Sequence, residues 1–262
     1  MPRLKAAHAS DAAYTPPSPP VAIFIGSTSG IGHAMAEALT HYTSGNVQII
    51  IIGQNYAAAQ AIIASFPPPP TGIQHEFMPC NANLMKNVES TTQSLLAHLP
   101  KMNYLVLSVT NLHFFGRSEM SEGIDDLAVL MYYARWKLIH DWMPLLRKAK
   151  DASEDEKVMS VGEPGLGNGI DLDDLRPKKN QGILNMRAQL SMYNDLIIEA
   201  FTECDPTMLF IHIWPGIFLF YFFSVSAEEC AEYMLYTLFI IGPGAHRMDN
   251  HSNDMGKERH MS

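Results

Sequence analysis

The sequence predicts an α/β protein: a single domain built on a doubly wound parallel sheet of about seven strands. Three observations lead there. Short apolar runs alternate with longer helical segments along most of the 262 residues. Several of those runs, such as "VQIIII" and "LFIHI", are apolar at nearly every position, as parallel strands buried on both faces are. The first run, "VAIFI", ends in a glycine-rich turn that opens a helix.

Taken in order, residues 1–20 are expected to form a disordered leader. They contain "PPSPP" and lack the apolar stretch of a secretory signal. Strands are expected at 21–25, 47–52, 73–78, 103–108, 157–162, 207–213 and 244–248. Helices are expected between them, at 30–41, 56–65, 84–99, 124–147, 183–203 and 226–240. Loops are marked by "PPPP" at 67–70, the charged "KAKDASEDEK" and "EPGLGNG". The domain then covers 21–250, followed by a polar tail over 251–262. The run "MLFIHIWPGIFLFYFF" is shorter than the ~20 apolar residues of a membrane span, and Pro-Gly interrupts it. It reads as a central strand followed by an apolar loop, not a span.

The totals narrow the partners. Hydrophobic residues make up 47%, enough for a large core, and the net charge is −9. No Lys/Arg cluster is present, which argues against nucleic acid and anionic membrane. The three cysteines, Cys80, Cys204 and Cys230, have no metal-ligand spacing, so free thiols in a reducing, cytoplasmic setting are expected and no metal is.

The glycine turn carries the first functional expectation. Gly26 lets the chain turn tightly, Gly30 lets backbone approach a pyrophosphate, and Gly32 lets the helix pack close to the sheet. Ser27, Thr28, Ser29 and Ile31 complete the turn, whose helix-start N–H groups bind phosphate oxygens. The spacing Gly-x-x-x-Gly-Ile-Gly resembles that of the short-chain dehydrogenase/reductase (SDR) family, with Ile25 where the family usually has Thr. The resemblance covers roughly residues 21–250 and includes the Pro215–Gly216 step after the sixth strand. "YYARWK", "IDLDDL" and "YNDLIIE" are similar to a divergent fungal SDR-like group, some of it in secondary metabolism.

The resemblance implies a Rossmann-type fold and a nicotinamide dinucleotide. Asn81 matches the adenine-contacting Asp of the family, and Ser108 and Val109 fall in its Asn-Asn-Ala-Gly segment. Pro215 and Gly216 match the step beside the nicotinamide, without the Thr that usually holds the carboxamide. Gln54 and Asn55 follow Gly53 where a 2′-hydroxyl reader would place a carboxylate, so NADP(H) is favoured over NAD(H).

The family's proton-transfer residues do not carry over. Tyr133 and Lys137 have the Tyr-x-x-x-Lys spacing but precede the fifth strand, whereas the family pair follows it; they read as core or interface residues. In helix 183–203, Tyr193 is followed at the Lys place by Ile197, and a second register puts Arg187 and Ser191 at the Tyr and Lys places. Gly162–Glu163 stands at the family's Ser, Ser160 is too early, and the helix Asn maps near Met131.

Candidate catalytic residues are therefore Glu163 and Tyr193. Glu163 is open between an acid or cation stabiliser and a solvated loop carboxylate. Arg135 is expected in a surface ion pair, with a place facing the pocket one turn from Met131 as the alternative, His113 in a loop, and Asp171, Asp173 and Asp174 at a cap or in solvent. The aromatics Phe218, Phe220, Tyr221, Phe222 and Phe223 would form a substrate wall or an oligomer contact. Three functions follow. The first is an atypical oxidoreductase delivering hydride to an iminium-type, small apolar substrate. The second is a non-redox cyclase or isomerase on the same scaffold. The third is a non-catalytic binding protein.

Overall fold

Seven parallel strands form one sheet in the order β3-β2-β1-β4-β5-β6-β7. They are β1 (Val21–Ile25), β2 (Gln48–Gly53), β3 (Glu76–Pro79), β4 (Tyr104–Leu107), β5 (Lys157–Val161), β6 (Leu209–Ile213) and β7 (Gly244–Met248). The helices are α1 (Leu4–Asp11), α2 (Gly30–Tyr42), α3 (Tyr56–Ser65), α4 (Met85–His98), α5 (Asp126–Ala128), α6 (Ala134–Asp151), α7 (Ile183–Cys204) and α8 (Ala227–Ile240), with a π-helical turn at Val129–Tyr133. The computed structural model describes residues 4–111, 118–167, 169–177, 182–216 and 225–255.

Residue parity along the strands decides which layer each side chain joins. Ile23, Ile25, Leu105, Leu107, Val158 and Phe210 meet α4, α6 and α7 on one face. Their neighbours Ala22, Phe24, Val106, Met159 and Ile211 meet α2, α3 and α8 on the other. Both sets are buried, which is why these strands read as unbroken apolar runs. β3 is an edge strand, and its Pro79 sits where a missing N–H costs no central ladder bond. The strand order reverses between β1 and β4, so the crevice of the doubly wound architecture opens above their carboxyl ends.

Three local expectations are corrected. The leader is not wholly disordered: Leu4–Asp11 is helical and packs on α8. Between Pro2 and Pro16 it has no proline, leaving an alanine-rich stretch free to fold. His8 Nδ1 lies 3.0 Å from Glu232, and Tyr14 stacks on Phe239 at 3.9 Å. The helix before β5 runs on to Asp151, with Lys148 and Lys150 in its last turn facing the negative end of the helix dipole. That helix also begins with the π turn, which no periodicity signalled.

Candidate functional site: the crevice above the sheet

The crevice has a volume of about 340 Å³ and is built from the loops after four strands. Gly26, Ser29, Gly30, Ile31 and Gly32 follow β1, Ser108 to Thr110 follow β4, Gly162 and Glu163 follow β5, and Trp214 and Pro215 follow β6. Met131, Arg135, Arg187 and Asn194 close it from the helices.

The glycine turn has the shape expected of a phosphate cradle. Gly26 has φ +84°, and a Cβ there would lie 2.6 Å from the Val109 backbone. Gly32 lies against the Ser27 and Ser108 hydroxyls, so α2 can approach the sheet only without a side chain at that point. Gly30 has φ +63° and nothing within 4 Å of where a Cβ would stand. The space above it is open, and a side chain would fill it. Ser29 caps α2 without a side-chain hydrogen bond, and Ser27 Oγ is buried with no partner among the described residues. Backbone N–H groups at the positive end of α2 therefore face an open concavity, which fits a dinucleotide pyrophosphate.

The other cofactor candidates divide. Thr28 packs against Gly53. Gln54 is exposed, and Asn55 caps α3 by accepting from Ala58 N at 3.0 Å. Asn81 closes a turn by accepting from Asn83 N at 3.1 Å. Gly216 has φ +71° and lies tight against Asn250, outside the crevice lining.

Where the loop after β5 meets α7, Glu163 faces Arg187, with Oε1 3.0 Å from Nη2. Its second oxygen, Oε2, is buried and has no partner among the described residues. Ser191 Oγ donates to the Glu163 carbonyl oxygen and so fixes the loop on α7. Arg187 thus lines the crevice, while Ser191 is fully buried beneath the loop it holds. Tyr193 does not line the crevice. It lines a separate cavity of about 270 Å³ with Tyr132, Tyr133 and Leu190. Its hydroxyl donates to Leu175 O at 3.0 Å and accepts from Gln189 at 2.6 Å. One residue along a helix is 100° of rotation, so 187, 191 and 194 share one face while 186, 190 and 193 share the next.

Beneath the crevice lies a buried polar layer. Arg135 takes the second of its two expected places: it is 1% exposed and lines the crevice instead of forming a surface ion pair. Its Nε donates to Leu130 O at 2.9 Å and its Nη2 to Val109 O at 2.9 Å. Its Nη1 is shared among Leu107 O, Ser160 Oγ at 2.5 Å and Val161 O at 2.8 Å. Burial pulls its pKa down to about 10, which still leaves it charged at neutral pH. Ser160 Oγ in turn donates to Asn194 Oδ1 at 2.9 Å, and Asn194 Nδ2 donates to Met131 O. Beside it, His212 Nδ1 meets Asp195 at 2.7 Å, while burial holds the histidine below its usual pKa. A Cβ on Gly162 would stand 2.5 Å from His212 Nε2.

Tyr133 and Lys137 do not line the crevice. Lys137 pairs with Glu89, and with Asp141 at 2.8 Å. Asp171 closes a turn by accepting from Asp173 N at 2.9 Å, and no metal-holding group of acidic, His and Cys side chains occurs among the described residues. His113 and the aromatics Phe218, Phe220, Tyr221, Phe222 and Phe223 lie outside the described residues. Val161, Asn194 and Trp214 were not anticipated. Asn194 had a signal, standing two turns from Arg187 on one helix face.

An α/β sheet of this order, with a glycine turn at its switch point, is the architecture of nucleotide-binding dehydrogenases. Comparisons with known proteins agree. No protein-family model matches the chain. The oxidoreductase AN1596 of Emericella nidulans is 32% identical over 218 residues, covering 83% of this chain and 64% of that protein. The short-chain dehydrogenase/reductase SAT2 of Stachybotrys chartarum is 24% identical over 235 residues, covering 83% and 66%. The chain thus spans just under two thirds of the length of these relatives. A metagenomic short-chain oxidoreductase solved in complex with NADP shares the fold, with a TM-score of 0.63 over 88% of this chain and 97% of the other, at 15% identity. The chain is thus similar to fungal oxidoreductases, one of them named a short-chain dehydrogenase/reductase, and shares the fold of solved short-chain oxidoreductases. Among the described residues, no helix is long and apolar enough to cross a membrane.

Proposed function

We propose that this chain is an NADP(H)-dependent oxidoreductase of atypical mechanism, acting on a small, largely apolar iminium-type substrate in the cytoplasm. Bound at the glycine turn, the nicotinamide dinucleotide would supply hydride. Gly26, Gly30, Gly32 and the first N–H groups of α2 would hold its phosphates, and Pro215 would flank its nicotinamide end. Gln54 at the end of β2 supports NADP(H), because no carboxylate there would repel a 2′-phosphate.

One observation carries the choice of substrate: Glu163 is held through Oε1 by Arg187 while Oε2 stays buried in the crevice with no partner among the described residues. A buried carboxylate oxygen without a donor is costly, and a cationic C=N–H group would satisfy it by charge and by hydrogen bond. Hydride addition to an iminium carbon leaves a neutral amine, so no acid is required. That suits a crevice whose lining from α7 is Arg187 and Asn194, with no Tyr-x-x-x-Lys pair. Met131, Val161 and Trp214 supply apolar wall.

The test is a panel of cyclic iminium compounds and neutral ketones with NADPH, read by loss of cofactor absorbance. Iminium compounds should turn over, ketones should not, and Glu163→Gln should slow the reaction ~10- to 100-fold by removing a charge-assisted contact. Brisk ketone reduction insensitive to Glu163 would overturn the substrate class. Dinucleotide binding without turnover of any compound would point to the non-redox or binding roles.

A further inference from the structure

The crevice floor holds a cation that the fold does not explain. Arg135 comes from α6, the helix before β5, yet its guanidinium lies between the ends of β4 and β5. It is 1% exposed, and no carboxylate among the described residues pairs with it. All its acceptors are neutral oxygens: the carbonyls of Leu130, Leu107, Val109 and Val161, and the Ser160 hydroxyl. Burying a full charge with only dipoles for company is expensive, and a neutral amide could bridge two or three carbonyls at less cost. The π turn adds to the case. It places Leu130 O against Arg135 Nε, and such turns concentrate at functional sites.

The donor count shows what is missing. A guanidinium has five N–H groups and no acceptor. Nε and Nη1 are occupied, whereas Nη2 has two N–H groups and one protein acceptor, Val109 O. The remaining donor belongs to a side chain that lines the crevice. The crevice has an order along it. The glycine turn after β1 is the phosphate end, the Glu163–Arg187 pair after β5 is the reacting end, and Arg135 lies between, beneath the end of β4. In a nicotinamide dinucleotide, the group between pyrophosphate and reacting ring is a ribose with two hydroxyls.

We propose that Arg135, a cation delivered from α6, binds the nicotinamide-ribose oxygens through its remaining Nη2 donor. This rests on the dinucleotide reading above. An acceptor would complete Nη2, and a ribose hydroxyl offers lone pairs without adding charge. The same guanidinium ties the ends of β4 and β5 together, so the ribose would sit on a rigid floor.

The test compares whole and truncated ligands by calorimetry: NADPH, NADH, and 2′,5′-ADP, which lacks the second ribose and the nicotinamide. Arg135→Gln should weaken NADPH about 10- to 100-fold, the range for one hydrogen bond to a charged group, and leave 2′,5′-ADP within about twofold. Arg135→Lys, which keeps the cation, should recover part of the loss. A purely structural arginine would instead lower both affinities together or neither, and that result overturns the proposal. If both variants fail to fold, the wild type decides: NADPH should bind at least about tenfold tighter than 2′,5′-ADP, and equal affinities overturn it. A wild type that binds neither NADPH nor NADH overturns the dinucleotide reading and this assignment together. Dinucleotide affinity unchanged in a folded Arg135→Gln protein overturns the arginine alone.

Discussion

Replacing Gly30 with Asp tests the phosphate cradle where it is most exposed. The residue has φ +63°, and an added Cβ would meet nothing within 4 Å. The folded protein therefore has room for the side chain. The cost to the fold is the left-handed backbone, about 1 kcal/mol for a non-glycine residue and less for Asp, which tolerates this region. The cost to the ligand is much larger, because the carboxylate occupies the concavity at the start of α2. Two like charges ~4 Å apart interact by ~4 kcal/mol at an effective dielectric constant of 20. Screening at an open crevice lowers this, so a loss of ~100-fold in NADPH affinity is expected. Gly72 is the control, with φ +94° and equally open surroundings in the loop before β3. Gly72→Asp carries the same backbone strain and should bind NADPH as the wild type does. Affinity is read by fluorescence titration, and the fold by circular dichroism. A folded Gly30→Asp protein with unchanged affinity would show that the turn is structural only.

Other outcomes follow from buried groups. Asp11 is buried with both oxygens unpartnered among the described residues, and burial, aided by Glu232, raises its pKa from 3.8 to about 8. A raised carboxyl pKa means that α1 docks with Asp11 neutral. That stability is full below about pH 4 and is lost as pH rises through about 8. Asp11→Asn should therefore raise Tm by ~3–6 °C at pH 8 and by little at pH 4, and equal shifts at both would refute the burial argument. Gly162→Ala should destabilise by ~1–3 kcal/mol in urea, because its Cβ meets the fully buried His212 at 2.5 Å. A stable variant would mean that this floor is soft. Tyr193→Phe should cost ~1 kcal/mol of stability through the lost bond to Leu175 O, with NADPH affinity and any turnover unchanged. A thousandfold fall in turnover with the fold retained would return Tyr193 to the active site.

The sheet was legible because its strands are apolar on both faces, and "VQIIII" can hardly be buried any other way. The glycine turn was legible for a local reason too, since strand, turn and helix are contiguous. The reacting end was not, because it joins residues far apart in sequence. Glu163 and Arg187 meet only when the loop after β5 folds back on α7, and nothing in either segment records the other. Tyr193 attracted attention as an aromatic on the right helix, but it is one residue, and so about 100°, away from the crevice face. Arg135 was read as a surface residue first and a pocket residue second, because charged side chains on amphipathic helices are usually exposed. What buries it is the set of carbonyls at two strand ends, which have no signature in side-chain sequence. The helix at Leu4–Asp11 was masked by the prolines that follow it, although Ala7 and Tyr14 were the residues to anchor it.

The central claim is that the crevice above β1 and β4 binds a nicotinamide dinucleotide. Calorimetric titration of the wild-type chain with NADPH and NADH tests it most directly. Saturable binding of one molecule per chain, tighter for NADPH and lost in Gly30→Asp, is the expected result. Absence of binding to either at millimolar concentration would contradict it.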